Sequence, residues 1–377
     1  MIQILIGRMD RQWSCLIKDR TSERGELRQR TEKIMEKAQK SGNLYRSWNL
    51  GLCILRSIMC FLVVLCHFWD GGGDRPLEGI RGYAVPVFMV MSFMLNYKTL
   101  KALKENTLKK RFRRLLFPHI AWALIYWMIY AGLDVWRGWD LENGPEDLFW
   151  QMLTGHCTRI NAAMWYQTDL IFLTAVFILI LFIFRQYYKT GFSIILFVAV
   201  LFQYSGRNFA LFEECRNEVT YPAGRICEMI PLAVLGFFIA DYGICEKLKE
   251  RWKEIALLSA ALIFMIRRYA VFSDVPGYGY SGLNKIVPAV ILVTVFYVLP
   301  LDKIPEKIQN GIGMLTRYTM GIYCMHMLCG RLLNIVLGHY GIVTNTFLEC
   351  IVIYNLCYIG SFFISKIPIK VVRQLVE

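Results

Sequence analysis

The chain has 377 residues, of which 56% are hydrophobic and only 19% are charged, and its formal net charge is +14. This much apolar surface is more than one soluble core can bury, so the composition excludes an ordinary soluble protein and predicts an all-α, polytopic membrane protein. The basic residues are concentrated in a few segments between apolar runs, as orientation signals are, so the positive charge does not indicate nucleic-acid binding.

Residues 1–48 form a charged leader that differs from the rest of the chain. They contain eleven Lys or Arg against six Asp or Glu. The apolar start, MIQILI, is too short for the core of a signal peptide, so we expect the leader to lie in the cytosol. Met35 lies shortly before the first apolar span, which leaves open whether residues 1–34 belong to the functional protein.

Ten apolar spans follow, and they predict about ten transmembrane helices. They lie at 50–69, 83–97, 115–134, 162–184, 191–205, 225–241, 255–272, 285–300, 312–330 and 345–366. Alternate connections between them are rich in Lys and Arg, namely 98–114, 185–190, 241–254 and 301–311. The positive-inside rule makes these connections and both termini cytoplasmic. The sequence therefore predicts a membrane domain over 49–366 and a cytosolic tail over 367–377.

The first span, from Leu50 to Trp69, contains two polar residues, Arg56 and His67. Eleven steps of about 100° bring the two side chains back to one helix face, about 16 Å apart along the axis. An arginine near a bilayer centre costs roughly 2.5 to 3.5 kcal/mol on insertion scales, so this face is predicted to line a cavity or to contact protein. The alternative is that Arg56 extends to the headgroups and His67 lies at the opposite interface.

A second basic motif precedes the third span. The segment KKRFRRLLFPHIAW, residues 109–122, places Arg111, Arg113 and Arg114 at the predicted inner mouth of that span. Planar guanidinium groups bind phosphate oxygens in bidentate geometry, so a phosphate-rich cytosolic ligand would suit them. The alternative is that they are topology anchors or contacts to anionic lipids.

Charged residues also occur at or near membrane depth in later spans. These are Asp169 in the fourth span and Arg225 and Glu228 in the sixth. Each is compatible with a cavity residue, because ionisable groups inside a membrane usually face the interior of a bundle. A position at the end of a span is the alternative.

Taken together, the motifs resemble those of the acyltransferase 3 family of integral membrane acyltransferases. Its first helix carries an Arg or Lys, ten residues and a His, as Arg56 and His67 do here. Its second loop carries Arg-x-x-Arg, as Arg111 and Arg114 do. Weaker similarities follow in the family's order, in PVFMVMSFML at 86–95, RRLLFPHIAW at 113–122, MWYQTDL at 164–170 and GIYCMHM at 321–327. The resemblance covers residue 49 to about residue 364.

One position departs from the family pattern. Where the family usually has glycine after the serine matched by Ser92, this chain has Phe93. A close approach of helices at that position is therefore not expected.

The resemblance implies acyl transfer from cytosolic acyl-CoA, commonly acetyl-CoA, to a hydroxyl of a cell-surface or lipid-linked glycan in the inner (plasma) membrane of a bacterial cell. His67 would take the proton of the hydroxyl, since neutral imidazole is a suitable base. Arg56 would stabilise the oxyanion or line the route of the pantetheine arm. Arg111, Arg113 and Arg114 would bind the CoA phosphates. Acyl-CoA is then a substrate, and no permanently bound cofactor is expected.

On the acceptor side, the resemblance points to His326, Trp165, Tyr166 and Ser92. A lone histidine in an apolar helix is also an ordinary packing residue, so both interpretations of His326 stay open. Trp165 and Tyr166 begin a helix at the predicted outer interface, where an aromatic belt is the usual explanation and stacking on a sugar face is the alternative.

The twelve cysteines and five histidines do not predict a metal site. Most cysteines are scattered through apolar spans without ligand spacing, and the histidines lie far apart in the sequence. Cys157 and Cys215 both fall in predicted outer loops, where an oxidising compartment would allow a disulfide.

Two functions other than acyl transfer stay open. One is a membrane transporter of related architecture, and the other is a non-catalytic scaffold in a polysaccharide-export complex. An acyltransferase requires His67, whereas both alternatives tolerate its loss.

Overall fold

The computed structural model describes residues 49–69, 80, 82–138, 144–155, 163–208, 220–272, 280, 282–342 and 346–376. These residues form fourteen α-helices, and no strand occurs among them, which confirms the all-α class. The predictions for the leader and for a disulfide between Cys157 and Cys215 concern residues outside these ranges.

The helices follow the predicted order. They are α1 Leu50–Phe68, α2 Ala84–Ala102, α3 Glu105–Arg137, α4 Pro145–Thr154, α5 Met164–Phe184, α6 Tyr188–Asn208, α7 Thr220–Asp241, α8 Ile244–Leu248, α9 Trp252–Phe272, α10 Leu283–Val298, α11 Glu306–Arg317, α12 Thr319–His339, α13 Phe347–Lys366 and α14 Lys370–Arg373. Each of the ten predicted spans overlaps one of the longer helices. The short helices α4, α8 and α14 lie outside the spans, and α11 shares the ninth span with α12.

Six stretches among the described residues are long and apolar enough to cross a membrane. They are Leu50–Phe68, Glu105–Trp136, Met164–Leu201, Ala223–Asp241, Thr319–His339 and Phe347–Lys366, and Leu283–Val298 is a shorter apolar helix. The chain is therefore a multi-pass membrane protein. The count of ten crossings and the cytoplasmic location of both termini stay predictions.

Several helix boundaries differ from the predicted ones, and two of the differences bear on the motifs. Helix α3 begins at Glu105 rather than at 115, because the basic segment before the apolar span contains good helix formers and continues into it without a break. The span predicted at 312–330 is divided between α11 and α12 by Tyr318, whose φ of −95° and ψ of 7° lie in the sparsely populated bridge region.

Helix α2 lies in the core of the bundle and packs closely on α7. A Cβ atom added at Gly236 of α7 would lie 2.3 Å from the backbone oxygen of Val90, so glycine permits the close approach of these two helices. Phe93, one turn further along α2, is fully buried, and its ring lies 4.3 Å from that of Phe177. Phe93, which stands where the family pattern has glycine, thus fills the contact between α2 and α5.

Several predicted cytoplasmic connections meet at one end of the bundle. The Lys101 ammonium group forms an ion pair of 2.6 Å with Asp241, and the Tyr188 hydroxyl donates a hydrogen bond of 2.6 Å to the same carboxylate. The Tyr297 hydroxyl at the end of α10 donates a hydrogen bond of 2.7 Å to the carboxylate of Glu246, which lies in α8, shortly after Asp241 in the sequence. We call this end of the bundle the basic end. Its contacts join the termini of helices that the positive-inside rule assigns to the same side.

Helix α1 is enclosed by the second half of the chain. The Thr316 hydroxyl of α11 donates to the backbone oxygen of Cys53 over 3.1 Å, and the Cys60 thiol lies 3.6 Å from the backbone oxygen of Thr319 at the start of α12. At the other end, Gly330 of α12 leaves room for the ring of Phe68. Contacts with α11 and α12 therefore extend along α1 from Cys53 to Phe68.

The residues after α13 return to the bundle. The indole nitrogen of Trp122 in α3 donates to the backbone oxygen of Leu375 over 2.9 Å. The side chain of Val376 is fully buried beside Gly321 of α12. The predicted tail thus packs between α3 and α12, and its cytosolic location stays a prediction.

Candidate active site

Arg56 of α1 points towards the interior of the bundle. Its side chain is half-buried, and its guanidinium group is close enough to the Tyr166 hydroxyl of α5 for an electrostatic interaction. Within the described part of the chain, Arg56 forms no ion pair with a carboxylate. The structure therefore places this arginine beside protein groups rather than in an ion pair that would neutralise it.

Arg111 of α3 is a second arginine near Tyr166. Only 8% of Arg111 is exposed, and one terminal nitrogen donates to the Thr174 hydroxyl over 3.0 Å and to the Ser92 hydroxyl over 3.4 Å. Its Nε atom is buried and has no hydrogen-bond partner among the described residues. The Tyr166 hydroxyl interacts electrostatically with both arginines. Two guanidinium groups thus lie near one phenol, which makes this region electropositive.

His67 lies beside His326, although the two are 259 positions apart in the sequence. Their ring centroids are 5.2 Å apart and the ring planes are inclined by 44°. His326 of α12 is fully buried, whereas His67 is exposed. The Nδ1 atom of His326 lies 2.6 Å from the backbone oxygen of Tyr323, one turn earlier in α12.

Aromatic rings connect the arginine region with the histidine pair. The ring centroids of Tyr166 and Tyr323 are 6.0 Å apart, and those of Tyr323 and His326 are 6.1 Å apart. The Tyr323 hydroxyl also donates to the backbone oxygen of Ala163, which precedes α5. Polar and aromatic side chains therefore form a continuous line, here called the polar line, from Arg111 to His67.

Three predicted site residues do not join the polar line. Arg113 and Arg114 are exposed on α3, because they lie about 200° and 300° around the helix from the buried Arg111. Trp165 stacks on Tyr280 with ring centroids 5.4 Å apart, and it lies under the guanidinium group of Arg225. It belongs to a separate cluster at the start of α5.

That cluster contains a buried ion pair. Arg225 of α7 donates from Nε and from a terminal nitrogen to the carboxylate of Asp169, at 2.8 to 3.1 Å, and it also donates to the backbone oxygen of Thr154 over 2.8 Å. Asp169 is fully buried. Gly155 permits this contact, because a Cβ there would lie 2.8 Å from Arg225. The ion pair joins α7 to the second turn of α5, just after Tyr166.

Sequence reasoning missed some contacts of this region. Nothing in the sequence marks Thr174 as a site residue, and Tyr323 is marked only by its place in the segment 321–327. Only the packing of the helices brings these two residues to the polar line. His119 of α3, which follows Pro118, is buried, and its Nε2 atom lies 2.9 Å from the backbone oxygen of Met152 in α4.

A comparison with protein families shows to which family the chain belongs. A family model described as an acyltransferase domain matches residues 49–366, from the start of α1 to the end of α13. The chain is a member of the acyltransferase 3 family. No curated protein and no solved structure in the comparisons matches it.

The acyltransferase 3 domain contains every residue of the polar line. The family assignment and the six apolar stretches together make the chain a multi-pass membrane protein of an acyltransferase family. Arg56 and His67, which suggested this family, both lie on α1, and α1 packs against α10, α11, α12 and α13 from the second half of the domain.

Proposed function

We propose that the protein is a membrane O-acyltransferase that moves an acyl group, most simply acetyl, from cytosolic acyl-CoA to a hydroxyl of a cell-surface or lipid-linked glycan. The observation that supports this most directly is the polar line, which brings Arg111, Tyr166 and Arg56 into one path with His67 and His326. The path lies inside a domain of an acyltransferase family.

Acyl-CoA enters, in this proposal, from the cytosol at the basic end. The exposed guanidinium groups of Arg113 and Arg114 are accessible to the CoA phosphates, and Arg111 lies further inside. Guanidinium groups suit phosphate because their donors match its oxygens in pairs. The glycan reaches His67 from the opposite side or from the lipid phase, in the inner (plasma) membrane.

His67 acts as the general base. A sugar hydroxyl is a poor nucleophile at neutral pH, so imidazole takes its proton while the oxygen attacks the thioester carbonyl. The carbon–sulfur bond then breaks, the ester is formed, and the imidazolium returns the proton to the CoA thiolate. Arg56 stabilises the negative charge that develops on the carbonyl oxygen or holds the pantetheine arm. No acyl-enzyme intermediate is required.

The proposal is tested with the purified full-length protein in liposomes. Acetyl-CoA is supplied together with a mixed extract of lipid-linked and soluble glycans, free CoA thiol is measured, and products are analysed by mass spectrometry. We expect thiol release that depends on the extract and an acetyl ester in the product. Uptake of a labelled glycan without thiol release would contradict acyl transfer and favour a transporter.

Arg111→Ala tests the donor site. Loss of a charged hydrogen-bond donor costs about 1.5 to 3 kcal/mol, so we expect the KM for acyl-CoA to rise about 10- to 100-fold, and Arg111→Lys to recover only part of this. Lys110→Ala, which removes an exposed charge from the adjacent position of α3, is the control. Equal KM values for Arg111→Ala and Lys110→Ala would remove Arg111 from the donor site.

A further inference from the structure

The hydrogen bonding of His326 determines which of its ring nitrogens carries the proton. Its Nδ1 atom lies 2.6 Å from the backbone oxygen of Tyr323, and a carbonyl oxygen can only accept a hydrogen bond. Nδ1 therefore carries the hydrogen in the neutral ring, and Nε2 has a free lone pair.

That lone pair has no donor in the structure. The Nε2 atom of His326 is buried and has no hydrogen-bond partner among the described residues. A buried acceptor without a partner costs about 1 to 3 kcal/mol, so its retention calls for an explanation. Three rings lie nearby, those of His67 at 5.2 Å, Tyr323 at 6.1 Å and Phe68 at 6.4 Å. The Tyr323 hydroxyl already donates to the backbone oxygen of Ala163 and Phe68 has no donor, so His67 is the ring with an N–H group to offer.

The spacing of the two imidazoles suits a direct hydrogen bond. A bond of about 2.9 Å between facing ring nitrogens places two imidazole centroids roughly 5 Å apart, as observed here. His67 has no other hydrogen bond within the part of the chain that the structure describes. The bond is not formed in the structure, where the two ring planes are inclined by 44°, so the His67 ring has to turn to make it.

The backbone is already arranged for this contact. Cys60 of α1 touches the start of α12 at Thr319, and seven residues later in both helices His67 lies beside His326. Beyond this pair, the Phe68 ring packs on Gly330. The two helices therefore run side by side with contacts before and after the histidines.

We propose that His326 is a positioning residue that fixes the tautomer of His67. The Tyr323 carbonyl oxygen accepts from Nδ1 of His326, and Nε2 of His326 accepts from one ring nitrogen of His67. The other nitrogen of His67 is then a lone pair directed at the acceptor hydroxyl. This inference rests on the proposed function for the role of His67 as the base, and it assigns His326 to His67 rather than to the glycan.

In many enzymes a carboxylate accepts a hydrogen bond from the catalytic histidine and orients it. Here the imidazole of His326 would take the place of that carboxylate. When His67 takes the proton of the hydroxyl, its other N–H becomes a charge-assisted donor to His326, which stabilises the imidazolium. The proton then leaves with the CoA thiolate, and both rings return to the neutral form. A fully buried orienting group that stays neutral avoids the cost of a buried carboxylate.

The substitutions His326→Asn and His326→Gln test the roles of the two ring nitrogens of His326 separately. The asparagine amide reaches the Nδ1 position and can still donate to Tyr323, but it has no acceptor at Nε2, whereas glutamine places an amide oxygen there. We expect His326→Asn to lower kcat about 100-fold without changing the KM for acyl-CoA or glycan, and His326→Gln to stay within about tenfold of wild type. A purely structural role would lower the yield of folded protein and would not separate the two variants.

A double variant shows whether His326 acts through His67. If it does, His326→Asn has less than about a twofold further effect on kcat in a His67→Ala background, because residues that act as a unit are not additive. Additive losses, or a raised KM for glycan in His326→Asn alone, would overturn the proposal and favour a direct contact with the acceptor.

A spectroscopic measurement tests the pairing of His326 with His67 without an activity assay. In ¹⁵N spectra of histidine-labelled protein, we expect His326 as the Nδ1–H tautomer and His67 as one tautomer, which becomes a mixture in His326→Asn. An Nε2–H tautomer of His326 would overturn the proposal even if acyl transfer is observed. Absence of acyl transfer in the wild type would overturn the proposed function, while the spectra would still decide the pairing.

Discussion

Replacing His67 by alanine is expected to lower kcat of acyl transfer by about 100- to 10,000-fold, the range that a positioned general base contributes. The residue is exposed in the structure and packs on His326, so its loss removes a reacting group without leaving a cavity in the core. The measurement is release of CoA thiol by protein in liposomes, and a thermal melt checks that the variant is folded.

The control for this substitution is His339→Ala. His339 is exposed at the end of α12, more than three turns beyond His326, so its removal is expected to leave kcat within about twofold of wild type. If His67→Ala and the wild type release thiol at the same rate, the general base lies elsewhere and the proposed mechanism is wrong.

Replacing Arg225 by alanine is expected to destabilise the folded protein by about 3 to 5 kcal/mol, because it leaves the fully buried carboxylate of Asp169 without its counter-ion. The substitution also removes the donor to the Thr154 carbonyl oxygen. The free energy of unfolding is measured by denaturant titration in mixed micelles.

Two further variants show whether the loss of stability in Arg225→Ala comes from the buried charge. Arg251→Ala breaks an exposed ion pair with Glu254 on the surface, and it is expected to cost no more than about 1 kcal/mol. The double variant Arg225→Met with Asp169→Leu replaces both charges by apolar groups and is expected to recover most of the stability. A cost below 1 kcal/mol for Arg225→Ala would show that Asp169 is solvated or neutral in the folded protein.

The distribution of apolar spans and basic connections was sufficient to predict an all-α membrane protein. The shared face of Arg56 and His67 was also predictable, because the helix period alone places positions eleven apart in one direction. These features depend on local geometry and on the cost of charge in hydrocarbon, both of which act within one segment of the chain.

The start of α3 and the break at Tyr318 were not predictable from hydrophobicity. The basic segment 105–114 is too polar to be recognised as part of a span, yet its residues favour a helix and continue into the apolar part. At Tyr318 the apolar pattern continues while the backbone leaves the helix. Thr316 and Thr319, on either side of this break, both contact α1, and hydrophobicity alone carries no signal of such contacts.

By itself, then, the sequence determined the membrane class, the helical spans, the polar face of α1 and the motifs that resemble one family. Only the tertiary structure decided that Arg111 turns inward while Arg113 and Arg114 stay exposed, that Asp169 pairs with Arg225, and that His326 lies against His67. The reason is that helix periodicity relates residues within one helix, whereas the choice of a partner across the bundle depends on how the helices pack. Charged and polar side chains in a membrane interior then take the partners that this packing brings within reach.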